Sequence, residues 1–377
     1  MDKQAASPRK KVNLALQGGG AHGAYTWGVL DALLEDGRLE FDAVSGTSAG
    51  AMNAVALAEG LLEGGPEGGR QKLHDFWLSV SEEGAMTPLQ RKLFDTYFGS
   101  FAFSASPAYF WLDAITHYAS PYEFNPFNIN PLRDHLTKMI DFEKLRATDH
   151  LKLLIAATNV YTGKGVVFRR DELTADHVMA SACLPTIFQA VEIDGVPHWD
   201  GGYGGNPPLW PLFYGAHSDD AIIVQINPIE RHQTPRTARE IANRADEITF
   251  NSALLAELRA VNFVNRLLDS GQLHRDGYKH VNLHRIGGDG KLETFGAATK
   301  MDTSWPFLKS LRDLGRDSAK DWLARNFDAI GKHGTMDVSG VLAAGAGPAG
   351  VTQGAAPETP ALPAGAAPAK RGSQTTS

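Results

Sequence analysis

The chain has 377 residues, 43% of them hydrophobic, which is enough for one large α/β domain or two smaller ones. Its formal net charge of −7, without a long basic block, argues against a general nucleic-acid binder. A single cysteine, Cys183, excludes an intrachain disulfide and a cysteine-based zinc cluster.

Residues 1–10 read as a polar leader with no apolar run of signal-peptide type, and no stretch is long and apolar enough for a membrane span. These features place the chain in the cytoplasm, with membrane contact at most peripheral. Val12–Leu16 reads as a strand, followed by Gly18-Gly19-Gly20-Ala21-His22-Gly23. A helix follows from Gly23, with Trp27, Leu30 and Leu34 at helical spacing. Phe41–Ser45 is a second strand. It runs into Gly46-Thr47-Ser48-Ala49-Gly50 and an Ala-rich helix that Gly64-Gly65-Pro66 stops. Leu73, Phe76, Trp77 and Val80 mark one face of another helix.

Residues 94–127 break the rhythm with a cluster of rings that includes Tyr97, Phe101, Phe110, Trp111, Tyr122 and Phe124. They suit the packing of an inserted cap, an apolar wall for an acyl chain, or both. Leu151–Thr158 reads as a buried strand, with Gly165–Phe168 pairing back on Tyr161-Thr162-Gly163. Ala221–Ile226 is a further strand, and 236–270 and 304–329 are helical. This alternation favours an α/β domain, here bounded at 11–335, with a mainly parallel sheet. Residues 336–377 are dominated by Ala, Gly, Pro, Ser and Thr and read as a disordered tail.

Three motifs carry chemistry. Gly46-x-Ser48-x-Gly50 between a strand and a helix is the sharp turn that presents a nucleophilic serine. Gly18, Gly19 and Gly20 free the backbone to gather N–H groups around a negative oxygen, at a helix start that adds partial positive charge. The same glycines match a dinucleotide fingerprint, but that fold needs an acidic residue at the end of the second strand. Val44-Ser45 stands there, whereas Asp42 and Glu40 lie too early. Asp200, followed by Gly201-Gly202, is a candidate base for Ser48, although Asp-Gly is also a common turn pair. His198 would share a strand face with Asp200 and is an alternative base. His22 either adds charge to the loop or covers it.

The set as a whole resembles the patatin-like phospholipase family: Gly-Gly-Gly-Ala-His-Gly at 18–23, Gly-Thr-Ser-Ala-Gly at 46–50 and Asp-Gly-Gly at 200–202, in that order. Ala180-Ser181-Ala182-Cys183-Leu184-Pro185 with Phe188 resembles the block that family carries before its aspartate. The likeness spans about residues 11–230. His22 departs from it, since many members have Arg or Lys there. The resemblance implies a three-layer α/β/α fold and a lipid acyl hydrolase of phospholipase A type. In it Ser48 is the nucleophile and Asp200 the base. The N–H groups of Gly18, Gly19 and Gly20 form the oxyanion hole, with His22 and Gly23 supporting it. No metal or cofactor is implied, and the expected partner is a lipid or other acyl ester. The same residues would serve an acyltransferase or an intracellular polyester depolymerase, and an idle lipid-binding protein could keep the fold.

Overall fold

A computed structural model describes residues 9–81, 120–231, 234–288, 290–295, 299–300 and 302–343. Eight strands form one sheet: β1 (Lys10–Leu16), β2 (Leu39–Thr47), β3 (Lys152–Asn159), β4 (Gly165–Arg169), β5 (Val191–Ile193), β6 (Val196–Asp200), β7 (Asp220–Gln225) and β8 (Asn282–Gly287). Their order is β5-β6-β3-β2-β1-β7-β8, with β4 also paired to β3. The five strands from β3 to β8 pair in parallel, whereas β4, β5 and β6 add antiparallel pairs at the β3 side.

The helices are α1 (Gly23–Asp36), α2 (Ala49–Val80), α3 (Pro121–Phe124), α4 (Pro131–Met139), α5 (Phe142–Ala147), α6 (Ala175–Ser181), α7 (Trp210–Gly215), α8 (Ala238–Asp269), α9 (Trp305–Asn326) and α10 (Val338–Ala343). Alternation along the strands sends side chains to two separate cores. Val12, Leu14 and Leu16 of β1, with Ile222 and Val224 of β7, pack under α1, α2 and α9. Ala15 of β1, with Ala221 and Ile223 of β7, packs under α7 and α8. The result is a three-layer α/β/α arrangement. Gly64 and Gly65 leave helical geometry inside α2 and break it in two, with Pro66 just beyond, as the sequence signal at those residues implies.

Three expectations change. Gly165–Arg169 pairs with β3 itself, Leu154 opposite Arg169, so that 160–164 is the turn and not a strand. The polar leader is shorter than ten residues, because Lys10 opens β1 and its Nζ donates to the carbonyls of Phe327 and Ile330. The tail does not start at 336. Thr335 and Met336 donate to the Leu283 carbonyl, and Val338, Val341 and Leu342 of α10 pack on the α8-side core. Spacing of i, i+3, i+4 gives even this short, Gly-containing helix an apolar face. Of the aromatic stretch 94–127, residues before Ser120 lie outside the described residues. In the described part Tyr122 and Phe127 are exposed.

Candidate active site

The parallel registers bring the motif residues to one end of the sheet. Thr47 pairs with Ala156, and Ala157 pairs with Asp200 across β3, so Ser48 and Asp200 emerge at the same level with one strand between them. Leu16 pairs with both Gly46 and Val224, which sets the glycine loop after β1 beside the same end.

Ser48 sits at φ 53°, ψ −122° between β2 and α2, in the left-handed region that a non-glycine residue occupies at a cost of about 1–3 kcal/mol. The surroundings hold it there. A Cβ on Gly46 would lie 2.6 Å from the Gly50 carbonyl oxygen, and one on Gly50 would strike the Leu16 carbonyl, so both must be glycine. Ser48 N–H donates to Ser181 Oγ at 2.9 Å.

Asp200 ends β6, 1% exposed. Its Oδ1 accepts from Gly202 N–H at 2.7 Å, and the Ser48 side chain lies near enough to its carboxylate to favour the charged form. Its N–H donates to the Cys183 carbonyl at 2.7 Å, and its carbonyl accepts from Thr158 Oγ1 at 2.8 Å. Burial pushes the Asp200 carboxyl up to about 7, against the smaller opposing effect of the Gly202 hydrogen bond and the nearby Ser48 side chain. Gly201 lies against the Ala156 carbonyl and Gly202 against the ring of Phe250. The 180–185 block therefore holds both partners, Ser181 the serine and Cys183 the aspartate. The Cys183 thiol is itself buried and pushed up to about 12 by that burial, so it stays protonated.

The glycine loop is clamped by side chains that no motif marks. Asn206 Oδ1 accepts from Gly18 N–H at 2.7 Å. Asn227 Nδ2 donates to the Gly18 carbonyl at 2.6 Å. Gln17 Oε1 accepts from the N–H groups of Ile226 and Asn227, each at 2.9 Å, and its Nε2 donates to the Asn206 carbonyl. The expected trio of oxyanion donors is thus corrected: the Gly18 N–H is already taken. Gly19 and Gly20 carry N–H groups with no hydrogen-bond partner among the described residues, at the open start of a short turn, Gly20–His22. Gly23 opens α1 and packs against Ala49 and Trp77.

His22 is buried, with Nε2 2.8 Å from Thr299 Oγ1 and its ring near Phe295 and Phe307. Burial first, then the nearby Lys300 charge, lowers its pKa to about 3. It therefore covers the loop as a neutral ring and adds no charge. His198 shares β6 with Asp200 but packs edge-on against Phe168, ring centroids 5.4 Å apart. Its Nδ1 has no partner among the described residues, and it is not among the residues that line the cavity at Ser48. The structure does not bring it to the serine.

A cavity of about 290 Å³ opens over the pair. Met52, Phe76, Trp77, Val80, Leu132 and Phe188 give it apolar walls, and Asn243, Asp246, Lys300 and Thr303 supply polar groups. Among the described residues no group of three or more His, Cys, Asp or Glu side chains converges as a metal site requires, and no helix is long and apolar enough to cross a membrane.

Residues 14–213 match the patatin-like phospholipase family. The chain belongs to that family. Among solved structures it resembles VipD from Legionella pneumophila, with 17% identity, a TM-score of 0.40, and 84% of this chain and 67% of that chain covered. It also resembles ExoU from the type III secretion system of Pseudomonas aeruginosa, solved in complex with SpcU. Two such structures give 17% identity and a TM-score of 0.36 over 86% of this chain and 53% of that one, and 20% identity and 0.31 over 66% and 51%. The chain spans about half the length of the ExoU chains it matches. No curated protein matches it significantly. The patatin-like match stops at residue 213, so Asn227, Asp246 and Lys300 reach the site from beyond it.

Proposed function

We propose that this patatin-like chain is a serine acyl-ester hydrolase of phospholipase A type that releases fatty acids from lipids through a Ser48–Asp200 dyad. The observation that carries the reading is the placement of Ser48 and a buried Asp200 together in the lining of one apolar cavity, with the Ser48 side chain near enough to favour the ionised carboxylate. A serine hydroxyl is a weak nucleophile until a base takes its proton. A carboxylate pushed up to about 7 by burial is a far better base than an exposed one, yet half-ionised near neutral pH.

In this mechanism Ser48 Oγ attacks the ester carbonyl while Asp200 takes its proton. The oxyanion lies against the N–H groups of Gly19 and Gly20, in a water-poor site where such donors are strongest. Collapse of the tetrahedral intermediate expels the alcohol, which takes the proton from Asp200. Water, deprotonated by the same carboxylate, then attacks the acyl-enzyme and frees the fatty acid, and Asp200 returns the proton to the departing Ser48 Oγ. The acyl chain runs along Met52, Phe76, Trp77 and Phe188. Each methylene buried there contributes about 0.8 kcal/mol, which favours long chains over acetate.

The test is labelling with a fluorophosphonate and hydrolysis of phospholipid vesicles. Ser48 should be the labelled residue, and free fatty acid should appear with the wild type and not with Ser48→Ala. A wild-type protein that neither labels nor hydrolyses would replace the hydrolase with an idle lipid binder on the same fold.

A further inference from the structure

Lys300 touches the glycine loop in three ways. Its backbone carbonyl lies so close to Gly20 that a Cβ there would strike it. Its ammonium donates to Asn227 Oδ1 at 2.9 Å. Its side chain lines the cavity together with Gly19, Gly20 and Ser48. The Asn227 amide is the link to the loop, since its Nδ2 donates to the Gly18 carbonyl.

An amide can flip, and what fixes it is the chemistry of its neighbours. Lysine only donates, so Oδ1 must face Lys300, and Nδ2 is left to face the Gly18 carbonyl. The Gly18 carbonyl only accepts and so demands the same orientation; without the ammonium, Oδ1 loses its donor, the amide is held from one side alone, and the loop loosens. The ammonium is itself held in place. Glu247 Oε1 lies 3.7 Å from Lys300 Nζ. The same buried carboxylate takes a two-pronged contact from Arg231, at 2.9 and 2.8 Å, and one from Arg244 at 3.2 Å. Arg231, Arg244 and Lys300 thus all approach the Glu247 carboxylate.

We propose that Lys300 is the positioning residue of the oxyanion loop, orienting the Asn227 amide so that the N–H groups of Gly19 and Gly20 face the cavity. The inference rests on Ser48 acting as the nucleophile. In this role Lys300 acts through Asn227 and through its fixed charge.

Its signature is in turnover more than in binding. Lys300→Met should lower kcat on an aryl ester by about 10- to 100-fold, less than outright loss of an oxyanion donor at its upper range, with KM changed by less than about threefold. Lys300→Arg keeps a donor-only cation and should restore kcat to within about fivefold of wild type. The pH profile adds a readout that packing alone would not move. The charged or titratable groups around Lys300 are Arg244, Asp246 and Glu247 of α8, Arg231 of the preceding loop, and His22. Burial lowers the Lys300 pKa below the ordinary lysine value, opposed by Glu247 and seconded by Arg231. The wild-type rate should therefore fall on the alkaline side as Lys300 loses its proton, and this fall should be absent in Lys300→Arg.

The proposal is overturned if folded Lys300→Met keeps kcat within twofold, or if Lys300→Arg is as slow as Lys300→Met. It is equally overturned if the alkaline fall is the same in Lys300→Arg as in wild type. The last comparison needs only the conservative variant and stands even where Lys300→Met does not fold. Failure of the hydrolase reading looks different: the wild type itself would neither hydrolyse esters nor label at Ser48.

Discussion

Two aspartates are buried at opposite ends of the sheet, and their surroundings make them different groups. Asp220 opens β7 and is 4% exposed. Its Oδ1 accepts from His284 Nε2 and from Gly331 N–H, each at 2.9 Å, with Asn282 Nδ2 at 3.4 Å. His284 is in turn held by Thr335 Oγ1 at 3.0 Å. That carboxylate ties β7, β8 and the 331–335 segment together. Asp200 ends β6 equally buried, but accepts from one backbone N–H, stands beside the Ser48 side chain and otherwise faces an apolar cavity. Burial among donors makes an anchor; burial with few donors leaves a carboxylate that gains by taking a proton.

The sharpest way to break this contrast is to remove the proposed nucleophile. Ser48→Ala should cost on the order of 10⁶ in kcat while the protein melts as before. A variant retaining a tenth of the wild-type rate would refute the assignment. Asp200→Asn should cost on the order of 10⁴, because an amide cannot take the proton. His198→Ala should cost less than about tenfold; equal losses at the two positions would restore a histidine base. In the wild type, kcat/KM should rise with pH through about 7 as Asp200 ionises.

Stability should run the other way. Between the ordinary aspartate range and about 7, native Asp200 keeps a proton that the unfolded chain has released, so stability falls as pH rises across that window. Asp200→Asn removes that penalty and should stabilise the fold above pH 7 by on the order of a few kcal/mol. Glu257, also pushed up to about 7 by burial, has the same sign, so the variant's pH dependence should flatten without vanishing. Thermal melts from pH 4 to pH 9 measure both.

At the anchor the balance reverses. Asp220→Ala should lose about 3 kcal/mol of stability, because His284, Gly331 and Asn282 all lose an acceptor. The kcat of the folded variant should stay within about threefold of wild type. The smallest effect belongs to α10. A chain ending at 335 should be less stable than one ending at 343 by about 1–2 kcal/mol, the value of the half-buried Val338, Val341 and Leu342. Identical urea midpoints would show that α10 contributes nothing.

Much of the site was legible because its geometry is local. The elbow at Gly46–Gly50 and the loop at Gly18–Gly20 are enforced by backbone crowding that only small residues tolerate, and such demands leave a pattern in sequence. The clamps did not. Asn206-Pro207 and Asn227-Pro228 read as ordinary turn starters, and Gln17 as the polar end of a strand. Their roles arise from pairing across the sheet, which no local spacing encodes. His198 misleads for a related reason: strand alternation gives it the same side as Asp200, but a side is not a direction, and at the strand's end Asp200 turns to Ser48 while His198 stays against Phe168. Strands β5 and β8 were missed because β5 is three residues long and β8 is interrupted by His284 and Arg285. The tail boundary was placed too early because composition averaged over forty residues hides one small apolar face.

Asn206, which occupies the Gly18 N–H, follows Asp200 in the chain by six residues, and Thr47 and Ser45 of β2 pin the stretch between and just beyond them through the carbonyls of Gly205 and Pro208. The carboxylate proposed to accept the proton and the amide that holds the glycine loop therefore ride on one short piece of backbone. They cannot drift independently. A disturbance anywhere in 200–208 would detune both at once, so paired substitutions there should combine less than additively, and the enzyme would lose rate in a single step where a site assembled from separate loops would lose it in several.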